Sequence, residues 1–225
     1  MVKKIFTYIF LLLLVPAITV AGTIFFGENM YMWIALYAAV LSCIPFFLSF
    51  EKSEAPAIKT VTIAVMVAVS VISRIIFAPT PGFKPVTAIT VFTAMYFGKE
   101  AGFMTGALSA LVSNMFFGQG MWTPFQMIIW GLIGFVGGIL ASPLKRSKIL
   151  LAGYGLISGI AFSLLFDFFW TLSSDRGLNI SRYIGYVINS FPFMCIYAVS
   201  NIVFLLILSL SAGKMMERIK IKFNI

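Results

Sequence analysis

The chain has 225 residues, of which 61% are hydrophobic and only 10% charged, with a net charge of +9. A soluble domain runs near half apolar and about a quarter charged, so these figures exclude a soluble enzyme and a disordered chain, and the solvent must be lipid. No histidine is present, which removes His-based triads and His-bound zinc or iron sites.

A lipid-crossing helix takes about 20 apolar residues, and the sequence divides into eight apolar runs. Run one spans about residues 5–26, behind Lys3-Lys4, and run two about 30–50. The polar stretch Glu51-Lys52-Ser53-Glu54 closes that pair. Run three spans about 60–77 and is followed by the loop Ala78-Pro79-Thr80-Pro81-Gly82-Phe83-Lys84-Pro85. Run four, about 86–97, is short for a straight crossing; thinned lipid, its flanks or surrounding protein must complete it. Run five spans about 101–117 and leads into Gly118-Gln119-Gly120-Met121-Trp122-Thr123-Pro124. Run six, about 125–141, ends at Pro143, Lys145, Arg146 and Lys148; run seven spans about 149–172. The polar loop from Ser173 to Arg182 precedes run eight, about 183–212, and a basic tail follows.

Open strands cannot sit in lipid, so each run is expected to be a helix. With the N-terminus inside, twelve of the 16 Lys and Arg fall on the inner side. Arg74, Lys84, Arg176 and Arg182 fall outside. The positive-inside rule therefore predicts both termini in the cytoplasm. A signal peptide is the alternative reading of run one, but its apolar length of about 22 residues exceeds the usual h-region. Runs one and two carry few small polar residues, whereas runs three to eight are rich in them. Residues 1–55 are thus expected to be a two-helix appendage and residues 56–225 a six-helix working core with a basic tail.

Both cysteines, Cys43 and Cys195, lie in apolar runs and indicate no disulfide framework. The polar residues are more informative. On this topology the outer ends of the core helices gather Arg74, Lys84, Asn114, Gln119, Trp122, Gln126, Asp167, Trp170 and Asn189. A charge buried in lipid costs on the order of 2.5–3.5 kcal/mol, so this asymmetry predicts a cavity open to the outside. Arg74 would line it, or snorkel to the interface. Asp167 would pair with Arg74 or accept hydrogen bonds from a ligand. The loop ending in Phe83-Lys84-Pro85 reads as a rigid rim or lid, and Trp122 as a stacking face or an interfacial anchor. Ala64 and Ala68, four apart, make a flat strip that a second helix can approach. Gly102, Gly106 and Ala110, and Gly134 with Gly138, read as packing strips inside the core.

With those residues in hand, the chain resembles an S component of an energy-coupling factor (ECF) vitamin transporter, the small substrate-capturing membrane subunit of bacterial importers. The resemblance covers about residues 56–213. It rests on the Ala64-x-x-x-Ala68 strip, the short second core helix and the outer loops. The stretches Phe83–Val86, Gly98–Phe103 and Ser113–Gln126 are similar to a subgroup with cobalamin-type cargo. The resemblance implies a six-helix bundle with an outward pocket that captures a vitamin, here a corrinoid or its precursor, or else a smaller vitamin. The Ala64/Ala68 strip would dock on a transmembrane coupling subunit, and two cytoplasmic ATPases would power the cycle while the subunit topples in the bilayer. No Walker A sequence is present in this chain. No cofactor, metal or nucleic acid is expected, and the expected location is the bacterial plasma membrane.

Two other classes compete. An intramembrane enzyme acting on lipid would rely on Arg74 and Asp167, the one candidate dyad. A channel or structural subunit would want polar faces along whole helices, whereas here they gather at one end.

Overall fold

The computed structural model describes residues 56–175 and 177–223, with a few isolated helical positions before them. The expected two-helix appendage, and Arg176 of the outer set, lie outside the described residues. The described chain is all helix and turn. Six long helices match the six core runs: α1 (Pro56–Ile76), α2 (Val86–Phe97), α3 (Lys99–Phe117), α4 (Trp122–Ile139), α6 (Lys148–Asp175) and α7 (Ile180–Ser211). Two shorter helices were not expected, α5 (Ala141–Arg146) and α8 (Gly213–Phe223). Among the described residues α1, α4, α6 and α7 are long and apolar enough to cross a membrane. The protein is an all-α, multi-pass membrane protein.

α2 is the core of the bundle. Its twelve residues span about 18 Å, short of the roughly 30 Å of a bilayer's hydrocarbon, and all twelve are buried. A helix apolar on every side belongs inside protein, and α1, α3, α4 and α7 pack around it. Shelter by neighbouring helices is therefore how this short segment is accommodated.

α1 has two faces. Ile63, Met66, Val67, Ser70, Val71 and Arg74 point inward at helical spacing. Val61, Ala64, Val65, Ala68, Val69 and Ile72 point out.

Lipid gives helices no hydrophobic reason to associate, so close packing of small residues holds them together. Between α3 and α4, a Cβ on Gly106 would come within 2.5 Å of the Trp130 carbonyl oxygen. Gly159 meets Ala198 as closely between α6 and α7. Each contact draws a pair of helices together at the level of the cavity described below.

The joint between α6 and α7 is polar. Arg182 Nε meets Asp175 Oδ1 at 2.8 Å, and the Asn179 side chain caps α7 by accepting from the Arg182 amide at 3.1 Å. At the opposite end, Lys145 of α5 reaches Glu217 of α8 at 3.8 Å and lies 4.2 Å from the Tyr96 ring centroid. α8 is amphipathic: Met216 is buried, while Lys214, Arg218, Lys220 and Lys222 face outward.

Candidate functional site

Arg74 sits in the last turn of α1, where the carbonyl end of the helix favours a cation. It does not snorkel, being only 8% exposed. One guanidinium nitrogen donates to the Ser113 hydroxyl and, at 2.8 Å, to Asn114 Oδ1. An arginine can only donate, which fixes the Asn114 amide. Asn114 Nδ2 then donates to Thr123 Oγ1 and Gln126 Oε1, each at 2.9 Å. Thr123 passes its proton to Gln119 Oε1 at 2.9 Å, and Gln119 Nε2 donates to the Leu111 carbonyl at 2.9 Å. This one-way chain ties α1, α3, the 118–121 loop and α4 together. It also leaves the Gln126 NH2 group with no assigned acceptor in the network.

Beside the network lies a cavity. Arg74 and Gln126 line it with Gly82 and Lys84 of the loop before α2, and with Val86 and Thr87 of α2. Trp130 and Phe162 form one wall, and Tyr197 and Asn201 of α7 another. The space between them is about 480 Å³, counting the part that opens out of the bundle. Only about 70 Å³ of it holds the centre of a water molecule, so a ring-sized ligand requires the rim to move. The wall is aromatic: Trp130 stacks on Phe162 with centroids 5.3 Å apart, and Tyr197 meets Phe162 edge-on at 5.2 Å. Arg74 stands 5.1 Å from the Trp130 centroid.

The loop that carries Lys84 is fastened to α7. Phe83 packs on Phe204 at 5.1 Å, the Ser200 hydroxyl donates to the Lys84 carbonyl at 3.1 Å, and Gly82, at φ 76°, abuts Ile196. The Thr80 hydroxyl lies 2.8 and 3.1 Å from the Phe77 and Phe83 carbonyls and donates its one proton to either. Burial, and after it the Arg74 charge, push the Lys84 ammonium below the usual lysine range.

The structure therefore brings Arg74, Lys84 and Gln126 to one cavity, with Asn114 and Gln119 behind them in the hydrogen-bond network. Phe83 fixes the loop. Trp122 and Trp170, with centroids 6.4 Å apart, line a separate aromatic cleft with Met121, Phe125, Phe166, Phe169 and Ser173. Asp167 is buried between α6 and α7 and accepts from the Ser190 hydroxyl. The expected pair with Arg74 does not form: the ion pairs among the described residues are those of Lys145 and Arg182. Asn189 is exposed on the far side of α7, because its neighbour Ser190 takes the inward position. Sequence reasoning missed Thr87, Trp130, Phe162, Tyr197 and Asn201. Tyr197 and Asn201, four apart on α7, carried a readable signal: an aromatic and an amide on one helical face.

Two polar atoms in this lining have no hydrogen-bond partner, Arg74 Nε and Asn201 Nδ2. Asn201 is 3% exposed. A buried donor left unpaired costs about 1–3 kcal/mol, so both side chains gain if an acceptor reaches them. Asp167, the other half of the candidate dyad with Arg74, faces Ser190 instead.

Residues 56–218 match the family model described as ECF-type riboflavin transporter, S component. Comparisons with curated proteins and with solved structures gave no match.

Proposed function

The chain belongs to that family of ECF-type S components, and from this premise we propose that the cavity captures a flat, flavin-type vitamin. S components are transporter subunits that work with a membrane coupling subunit and ATPases, so the chain is a vitamin-capturing subunit of an importer rather than an enzyme. The observation that carries the finer reading is the lining itself, which sets the hydrogen-bonding groups of Arg74, Gln126 and Asn201 among the rings of Trp130, Phe162 and Tyr197. A flavin ring presents a broad apolar face and a carbonyl-bearing edge, which complement such a mixed lining. The family description names riboflavin and supports the same cargo. The sequence resemblance implied a corrinoid or its precursor, or else a smaller vitamin, and the family description favours the smaller one.

In the proposed cycle, cargo enters at the end of the bundle that carries the loops 77–85 and 118–121, taken as the outer face from the distribution of Lys and Arg. The Lys84 side chain swings aside to admit the ring, while its backbone stays fastened to α7. Gln126 and Asn201 meet its acceptors. Trp122 and Trp170 flank the mouth through their own cleft. Asp167, held by Ser190, and Asn189 take no part in holding the cargo. Ala64 and Ala68, both on the outward face of α1, dock on the coupling subunit, and the partner ATPases drive release inside. The test is titration of the purified chain with riboflavin, following quenching of tryptophan emission. Saturable one-to-one quenching that is strongly weakened in Trp130→Leu supports the reading. The absence of saturable quenching overturns it.

A further inference from the structure

We propose that the cavity contains an anion-accepting subsite, in which Arg74 and Lys84 receive a phosphate monoester carried by the cargo. The inference rests on the cavity being the cargo site and concerns the charge of what it takes. Two cations lie against one aromatic ring here. The Arg74 guanidinium carbon lies 4.7 Å and the Lys84 ammonium 4.9 Å from the centroid of the same Phe117 ring.

Among the described residues neither cation has a carboxylate partner. Among the described residues the ion pairs belong to Lys145 with Glu217 and Arg182 with Asp175, and no acid lines the cavity. Asp167, the acid buried nearby on α6, is engaged by Ser190. Two like charges in one largely apolar pocket repel each other and resist desolvation. Ser113, Asn114 and the Phe117 ring hold them in place, but none of these partners carries the negative charge that would offset the pair.

The rest of the lining has the same sense. Arg74 Nε and Asn201 Nδ2 are buried without partners. The Gln126 carbonyl is occupied by Asn114, which turns its NH2 group free. Arg74 and Lys84 can only donate, and Gln126 is turned to donate. A neutral flavin edge leaves both charges uncompensated. A phosphate monoester carries close to two negative charges at neutral pH and three acceptor oxygens, which balances both cations. Charge-assisted bonds of this kind are the strong ones.

The experiment compares riboflavin with riboflavin 5′-phosphate, titrated into the purified chain at low and high salt. It uses the wild-type chain and Lys84→Gln. The variant is suited to this because the fold holds the Lys84 backbone carbonyl, through Ser200, and not its ammonium. We expect the phosphate ester to bind roughly tenfold tighter or better, with an advantage that shrinks in salt and collapses in the variant. Equal affinity for the two flavins, or an advantage that Lys84→Gln leaves intact, overturns the anion subsite while the flavin reading stands. If neither flavin binds, the flavin reading falls and the subsite is judged by inorganic phosphate alone. Thermal unfolding is then followed in phosphate and in chloride at matched ionic strength. A higher unfolding temperature in phosphate for the wild-type chain, absent in Lys84→Gln, upholds the subsite. No phosphate effect overturns it.

Discussion

In an Asn201→Leu chain, stability and cargo binding are expected to move in opposite directions. The Asn201 side chain is 3% exposed and its Nδ2 has no partner in the cargo-free chain. An unpaired buried donor carries a desolvation penalty of about 1–3 kcal/mol. Leucine is of similar size and has no polar atom, so the substitution removes that penalty with little repacking. The cargo-free chain is thus expected to be unchanged or stabilised by up to about 2 kcal/mol. Binding loses one hydrogen bond, worth about 1–3 kcal/mol according to the charge on the acceptor. At 1.4 kcal/mol per tenfold, affinity falls roughly 5- to 150-fold. The assay pairs thermal unfolding of the cargo-free protein in detergent with a flavin titration of the same preparation. If Asn201→Leu destabilises the chain by more than about 1 kcal/mol while affinity is unchanged, the residue is structural and the assignment of that wall to cargo is refuted.

Asn114→Ala is expected to behave in the contrary way. It leaves Arg74, Thr123 and Gln126 short of partners at once, and a loss of about 3–5 kcal/mol should appear as lower unfolding temperature and poor yield. Yield and melting like the wild type would mean the network contributes little. Ala68→Trp places a large ring on the outward face of α1 and should block uptake in cells that carry the coupling subunit and ATPases, with cargo affinity of the isolated chain intact. Normal uptake would remove Ala64 and Ala68 from the docking surface. The depressed Lys84 ammonium also predicts a pH effect, since the folded group loses its proton at a lower pH than the unfolded one. Between those two values the unfolded chain holds more protons, so cargo-free stability rises with pH. Affinity for a phosphate-bearing flavin falls over the same window as the cation is lost. Titration and unfolding across that window check both signs, and a phosphate-ester affinity that rises with pH contradicts them.

Much of the fold is legible because lipid leaves the backbone a single choice. Run four and α2 share the bounds Val86 and Phe97, since Pro85 and Gly98 punctuate both sequence and helix. The interfacial helices were not legible. α5 and α8 are short and cationic, and no long apolar window marks them; α5 is joined to α8 through Lys145 and Glu217.

The site was legible where charge is costly. Arg74 and Lys84 stand out in an apolar chain, and both reach the cavity. Its aromatic and amide walls were not, because in α6 and α7 both faces are apolar and the helical period says little about which side turns inward. Asn189 and Ser190 show the difference that one residue makes: Ser190 meets Asp167 and Asn189 faces out. Asp167 and Arg74 were expected as partners because they are the intramembrane charges of opposite sign. Ser113 and Asn114 reach Arg74 from α3 instead, and only the packing of α1 on α3 could reveal that.

The most direct test of the central claim is a mass spectrum of the small molecules released from the detergent-purified chain after expression in cells grown on rich medium. The account predicts a flavin in one-to-one amount, and its phosphate ester in preference to riboflavin. A stoichiometric corrinoid or lipid in its place would contradict the account.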